Sequence, residues 1–335
     1  MTADAKSLHE SAIVIDAVCP LLMDPRHVDL YRRGGATAVA PTVGGSENAE
    51  TALRAIGRWI KLIRNAGDLA LVRRAADIEA AKRDRRLGII LHFQGADPIE
   101  DDVDLIDAYK SLGVGMIQLT YNVRNRVGDG CEEPGDAGLS RFGRDVVKRL
   151  NEARIVVDCS HTGLRTTMDA IEASQRPTVF SHAGAFSVHP SPRNITDEQI
   201  RAVAATGGLV GAVGFPAFVA GGHRPTLDQF IAHIDHMVSL AGIDHVALGI
   251  DYFTGQHPIA SDEAAAALYK RLVDGGRWSP KSYPPPPYHF PAGIETPEGL
   301  PNLTRRLLER GYAADDVLKI MGGNWVRVFR EVWGA

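Results

Sequence analysis

The chain has 335 residues, 44% hydrophobic and 23% charged, a composition that excludes extended disorder and provides for a substantial buried core. A formal net charge of -4 with both signs interspersed leaves no basic stripe for nucleic acid and no cationic amphipathic face for a membrane. No apolar run approaches the ~20 residues of a membrane span, and Met1-Thr2-Ala3-Asp4-Ala5-Lys6 lacks a charged-then-apolar signal pattern, so the expected location is the cytoplasm and the expected partner a small molecule. Cys19, Cys131 and Cys159 are too widely spaced for a disulfide framework or a paired-cysteine zinc site and read as reduced thiols.

In chain order, eight short apolar runs rich in Val and Ile recur: Ile13–Val18, Ala36–Val43, Gly88–Gln94, Met116–Tyr121, Ile155–Ser160, Thr178–Ala183, Leu209–Phe215 and Val246–Asp251. They do not alternate with polar residues, which predicts strands covered on both faces. Between them lie segments with helical spacing, among them Asp104–Leu112, Gly143–Ala153, Asp197–Thr206 and Leu227–Ala241. Strand then helix, repeated, predicts a single α/β domain over residues 1–335, a (β/α)8 barrel. The proline-rich stretch near 279–292 is expected to be an extended loop, either over the barrel mouth or a plain linker, with closing helices between 302 and 333.

Several runs end in residues able to do chemistry, and a closed barrel gathers such ends on one face. His161 and His182 follow neighbouring strands, where two neutral imidazoles can converge on one metal ion. Asp251 ends the last strand and is the expected proton acceptor or a metal ligand, the plain alternative being a helix cap. Asp16 is a further strand-end carboxylate, and Asp158 is placed to orient a histidine. His92 and Gln94, two apart on one strand, share a face as assisting ligands or as hydrogen-bonded interior groups. Arg193, on the loop after the sixth strand, suits a substrate carboxylate or a loop ion pair. His233, His236 and His245 fall away from the pocket end and read as structural.

Taken together, Gly138–Arg144, Val157–His161, Phe180–His182, His189–Asn194, the stretch from His233 through His245 to Asp251, and Pro301–Thr304 resemble the membrane (renal) dipeptidase family of zinc peptidases. The resemblance implies a (β/α)8 barrel of metallo-dependent hydrolase type, two zinc ions bridged by a glutamate, an arginine holding the substrate's terminal carboxylate, and a homodimer. By motif, His161 and His182 match the two histidines of one metal, Asp251 the last-strand aspartate and Arg193 the substrate arginine. The first-strand His-x-Asp pair is replaced by Val18 and Pro20, the bridging glutamate by Gln94, and the substrate histidine by Tyr121, which with Asn122 is assigned to substrate binding. Losing these anionic ligands implies one divalent ion, zinc, rather than two, or none. The expected activity is dipeptidase-like hydrolysis of an amide or peptide bond in a small carboxylate-bearing substrate. A different reaction on a small amine or amino-acid derivative, and a catalytically decayed small-molecule-binding protein, stay open as alternatives.

Overall fold

The computed structural model of the chain describes residues 3–222 and 224–334. Ten strands are present among them: β1 Ile15–Cys19, β2 Ala38–Gly44, β3 Leu69–Leu71, β4 Leu87–Ile89, β5 Leu91–Phe93, β6 Val114–Gln118, β7 Val156–Asp158, β8 Thr178–Ala183, β9 Leu209–Ala212 and β10 Val246–Leu248. All the ladders are parallel. The expected third strand is two, β4 and β5, both paired with β2. At the break the Ile90 amide still donates to the Val39 carbonyl at 2.9 Å, so the two pieces occupy one barrel position. The unexpected β3 adds to the outer edge of β4. The barrel therefore has eight strand positions, and the seam between β10 and β1 is bridged at their ends. There Asp16 Oδ1 accepts from the Ile250 amide at 2.8 Å, and the Leu21 amide donates to the Tyr252 carbonyl at 2.6 Å.

Helices follow the strands as the alternation requires, and side-chain caps mark where several begin. Asn48 opens the helix Ala49–Asn65 and Ser140 opens Arg141–Glu152. Thr196 with Gln199 and Thr226 with Gln229 form reciprocal capping boxes that open Asp197–Ala205 and Leu227–Ala241, satisfying amides that the first turn cannot pair internally. None of the helices among the described residues is long and apolar enough to cross a membrane.

The core has two parts. One large cluster lies between the strands and the surrounding helices. The other fills the barrel, where Ile15, Ala38, Met116, Val156, Val179 and Leu209 point inward against Trp325, Phe329 and Trp333 of the last helix, Asn324–Trp333. Phe329 and Trp333 are stacked at 4.0 Å, and the indole N–H groups of Trp325 and Trp333 donate to the carbonyls of Leu248 and Gly115, both at 2.9 Å. This plug closes the end where the strands begin and leaves the C-terminal ends as the open face.

Candidate active site

Strand register decides what the open face presents. His182 lies within β8, Gln94 just past β5, Asn122 past β6, His161 past β7 and Asp251 past β10. Asn122, His161 and Asp251 have φ of 57°, 64° and 68°. That left-handed backbone costs a non-glycine residue roughly 1–2 kcal/mol, and it turns each chain sharply at the strand end. Close approach of the strands also matters: a Cβ at Gly249 would lie 1.8 Å from the Ser181 carbonyl oxygen.

The centre of the polar cluster is Asp158, fully buried on β7. Its Oδ1 accepts from the Ser160 amide at 2.9 Å, the Ser160 hydroxyl at 2.8 Å and the Ser181 amide at 2.9 Å, and its Oδ2 accepts from the Ser181 hydroxyl at 2.5 Å. His92 Nε2 stands 3.4 Å from the same Oδ2. Burial opposes the charge, but His92 first, and then the Ser181 hydroxyl, hold the carboxyl down at about 2. Asp158 therefore orients a histidine as expected, though by way of Ser181, whose Oγ lies 2.9 Å from His182 Nδ1.

The network assigns the protons of the histidine pair. The Asn122 amide donates from Nδ2 to the Arg277 carbonyl at 2.9 Å, which turns its Oδ1 toward His161 Nδ1 at 2.6 Å. Since Oδ1 only accepts, His161 carries its proton on Nδ1. The single Ser181 hydroxyl proton goes to ionised Asp158, so His182 Nδ1 must donate to Ser181 Oγ. Burial first, and then the charge of Arg193, lowers both histidine pKa values well below the ordinary range, so both rings are neutral. The two Nε2 atoms face each other at 2.8 Å, within hydrogen-bond range of one another.

That donor set fits one divalent cation on His161 and His182, with Asn122 and Ser181 holding the outer ring nitrogens as such sites require. Among the described residues there is no group of three or more His, Cys, Asp or Glu side chains placed to hold a metal. Val18 is buried and apolar, and the Gln94 carbonyl oxygen accepts from Thr42 Oγ1 at 2.8 Å.

A cavity of about 270 Å³ opens at the barrel mouth, lined by Asp251, Gln94, Tyr121 and Pro20 among others. Gln94 Nε2 donates to Asp251 Oδ1 at 3.5 Å. Burial holds the Asp251 carboxyl up at about 8, with Arg193 and Gln94 opposing the rise and Asp16 adding to it. A second cavity of about 210 Å³ is lined by His161, Arg193 and Cys131. Tyr121 lines the first of these, its ring stacked on His161 of the second at 4.2 Å and its hydroxyl accepting from Trp278 Nε1 at 3.0 Å. Arg193 is buried against the Phe218 ring, 5.2 Å from its centroid, and its Nε and Nη2 have no hydrogen-bond partner within the chain.

The remaining candidates sort by contact. Asn122 is buried and committed to His161, Arg277 and Tyr283, so it positions His161. Asp16 lies at the barrel seam with Oδ2 unpartnered, and burial raises its pKa to about 7. His233 accepts from the Ala185 amide and donates to the Val219 carbonyl, both at 2.9 Å, while His236 meets Asp197 and His245 the Gly208 carbonyl, all away from the facing histidines. Sequence reasoning missed Trp278 and Tyr283, which reach the cavity from the connection after the helix Asp262–Asp274. An indole and a phenol flanking the proline run were the available signal.

These strand-end groups around one mouth place the chain among (β/α)8 barrels of the metallo-dependent hydrolase type. The profile of the family described as Membrane dipeptidase (Peptidase family M19) matches residues 29–276 and 287–334, and the chain belongs to this family. It is 31% identical over 279 residues to an uncharacterized protein in the pqqA 5' region of Klebsiella pneumoniae, covering 80% of this chain and 91% of that one. It is 28% identical over 251 residues to the dipeptidase aclJ of Aspergillus oryzae, covering 74% of this chain but 52% of that longer protein. Among solved structures, an amidohydrolase from Pseudomonas aeruginosa superposes with a TM-score of 0.91 at 34% identity, over 99% of both chains.

Proposed function

We propose that this protein is a dipeptidase-like hydrolase that cleaves an amide or peptide bond in a small carboxylate-bearing molecule. The observation that carries the reading is Arg193, a buried guanidinium with two nitrogens unpartnered, next to a strand-end carboxyl whose pKa lies near neutrality. A buried cation with free N–H groups is matched by an anionic substrate group gripped bidentately. The substrate carboxylate takes Arg193, and the rest of the molecule extends past the Tyr121 ring into the mouth cavity beside Asp251. In its ionised form, which burial disfavours at neutral pH and which Arg193 and Gln94 favour, Asp251 accepts a proton from the attacking water as oxygen adds to the carbonyl carbon, then returns it to the leaving nitrogen as the C–N bond breaks, so activity should rise with pH toward about 8. Gln94 holds Asp251 in place.

The histidine pair is read as the site of one divalent ion, zinc, held by His161 and His182, with His92 reinforcing the Asp158 network. When bound there, the ion supplies Lewis acidity toward the scissile carbonyl. The family resemblance adds a homodimer, and a cytoplasmic location is proposed beside it; light scattering and cell fractionation test the two, and a monomer in solution contradicts the first.

The test is a panel of dipeptides and their C-terminal amides. Arg193→Ala, or amidation of the substrate carboxylate, is expected to lower kcat/KM by about a hundredfold or more, and Arg193→Lys should not restore it. Equal turnover of the amides contradicts the role of Arg193. Turnover of no dipeptide contradicts the hydrolase reading and leaves the pocket to another reaction on a small amine or amino-acid derivative.

A further inference from the structure

One side of the mouth cavity is walled by aromatic rings that take no part in the chemistry above. Phe215 follows β9, Phe253 follows β10, and Trp278 and Tyr283 come from the connection after the helix Asp262–Asp274, so three separate segments converge to build the wall. Trp278 and Tyr283 are stacked at 4.3 Å with an interplanar angle of 8°, and Phe215 stands edge-on to them at 5.9 and 5.6 Å. The indole Nε1 of Trp278 is committed to the Tyr121 hydroxyl, and the ring is otherwise packed against Phe253, Tyr283 and Tyr288, so the edge of the buried indole that lines the cavity is apolar. Leu268 and Leu272 extend this surface. At about 270 Å³ the cavity exceeds the ~150 Å³ that accommodates benzene in an apolar cavity of another protein.

We infer that this wall is a side-chain subsite that selects molecules carrying an aromatic ring, with Trp278 as the specificity-determining residue. Ring-on-ring packing in a preformed pocket adds to the burial of apolar surface. The identification of the bound molecule as substrate rests on the hydrolase reading; the existence of the subsite does not.

The test separates the two by using 3-phenylpropanoate and propanoate, carboxylates without a cleavable bond that differ only by the phenyl ring. Calorimetry on the full chain should show 3-phenylpropanoate binding about tenfold or more tightly than propanoate. Trp278→Ala should erase that difference and Trp278→Phe should retain most of it. Thr254→Trp, which fills the cavity from its partly buried edge without disturbing the wall, should erase it as well. Equal affinities, no binding of either acid, or an advantage that survives both Trp278→Ala and Thr254→Trp overturns the subsite. Ring-selective binding without cleavage of phenylalanyl dipeptides upholds the subsite and contradicts the hydrolase; cleavage with no aromatic preference overturns the subsite and upholds the hydrolase.

Discussion

On the β7 and β8 flank of the barrel mouth, the buried carboxylate Asp158 collects donors from Ser160 and Ser181 and orients His182 through a hydroxyl, whereas on the β1 flank the equally buried Asp16 has one oxygen without a partner. The same functional group is held at about 2 in one place and about 7 in the other. The adjacent His92, together with the hydroxyl of Ser181, and not burial as such, separates the two carboxyls inside the barrel. The proposed metal site follows the same division. The flank with the satisfied carboxylate keeps two facing imidazoles, and the other presents Val18 and Pro20 where the family resemblance calls for ligands.

The largest effect that can break this comparison is removal of the satisfied carboxylate. Asp158→Ala leaves the amide and hydroxyl donors of Ser160 and Ser181 without an acceptor, and is expected to destabilise the fold by about 3–5 kcal/mol in urea unfolding. A loss below about 1 kcal/mol would show that the network is not what holds this flank.

The dependence of stability on pH gives a finer comparison, because the two carboxylates have opposite signs. Asp158 has a folded pKa of about 2, below the ~3.9 of an unfolded aspartate. Its contribution is present above the unfolded value and is lost as pH falls toward 2. Asp16 has a folded pKa of about 7, above the unfolded value, so its contribution is full below ~3.9 and is lost as pH rises through 7. Unfolding titrations should show both limbs in the wild type. Asp16→Asn should remove the Asp16 part of the alkaline limb and shrink the Asp251 part that the Asp16 charge raises, increasing stability near pH 8 by about 1 kcal/mol; an unchanged alkaline limb would place that proton elsewhere.

Much of the barrel was legible in the sequence because its strands are short, Val- and Ile-rich and buried on both faces. The placement of candidate residues at their ends was legible for the same reason: His161, His182 and Asp251 each stand at or just past a strand end. Leu69–Leu71 escaped notice because three residues carry no pattern, and the division at Ile90 depends on pairing with β2, not on composition. Asp158 could be assigned to orient a histidine, but the route through Ser181 is set by the register of β7 against β8. The aromatic wall draws on positions 215, 253, 278 and 283, which only the closed fold brings together. Tyr121 was visible as a substrate-facing residue, yet its stacking on His161 depends on the reversed backbone of the β6 loop, where Asn122 has φ of 57°.

The central claim is that one flank retains a cation site and the other has lost it. Metal content of the purified protein, measured by plasma mass spectrometry alongside dipeptide hydrolysis, tests this most directly. The account predicts one zinc per chain, lost in His161→Ala together with activity. Two ions per chain, or a metal-free protein that retains full activity, would contradict it.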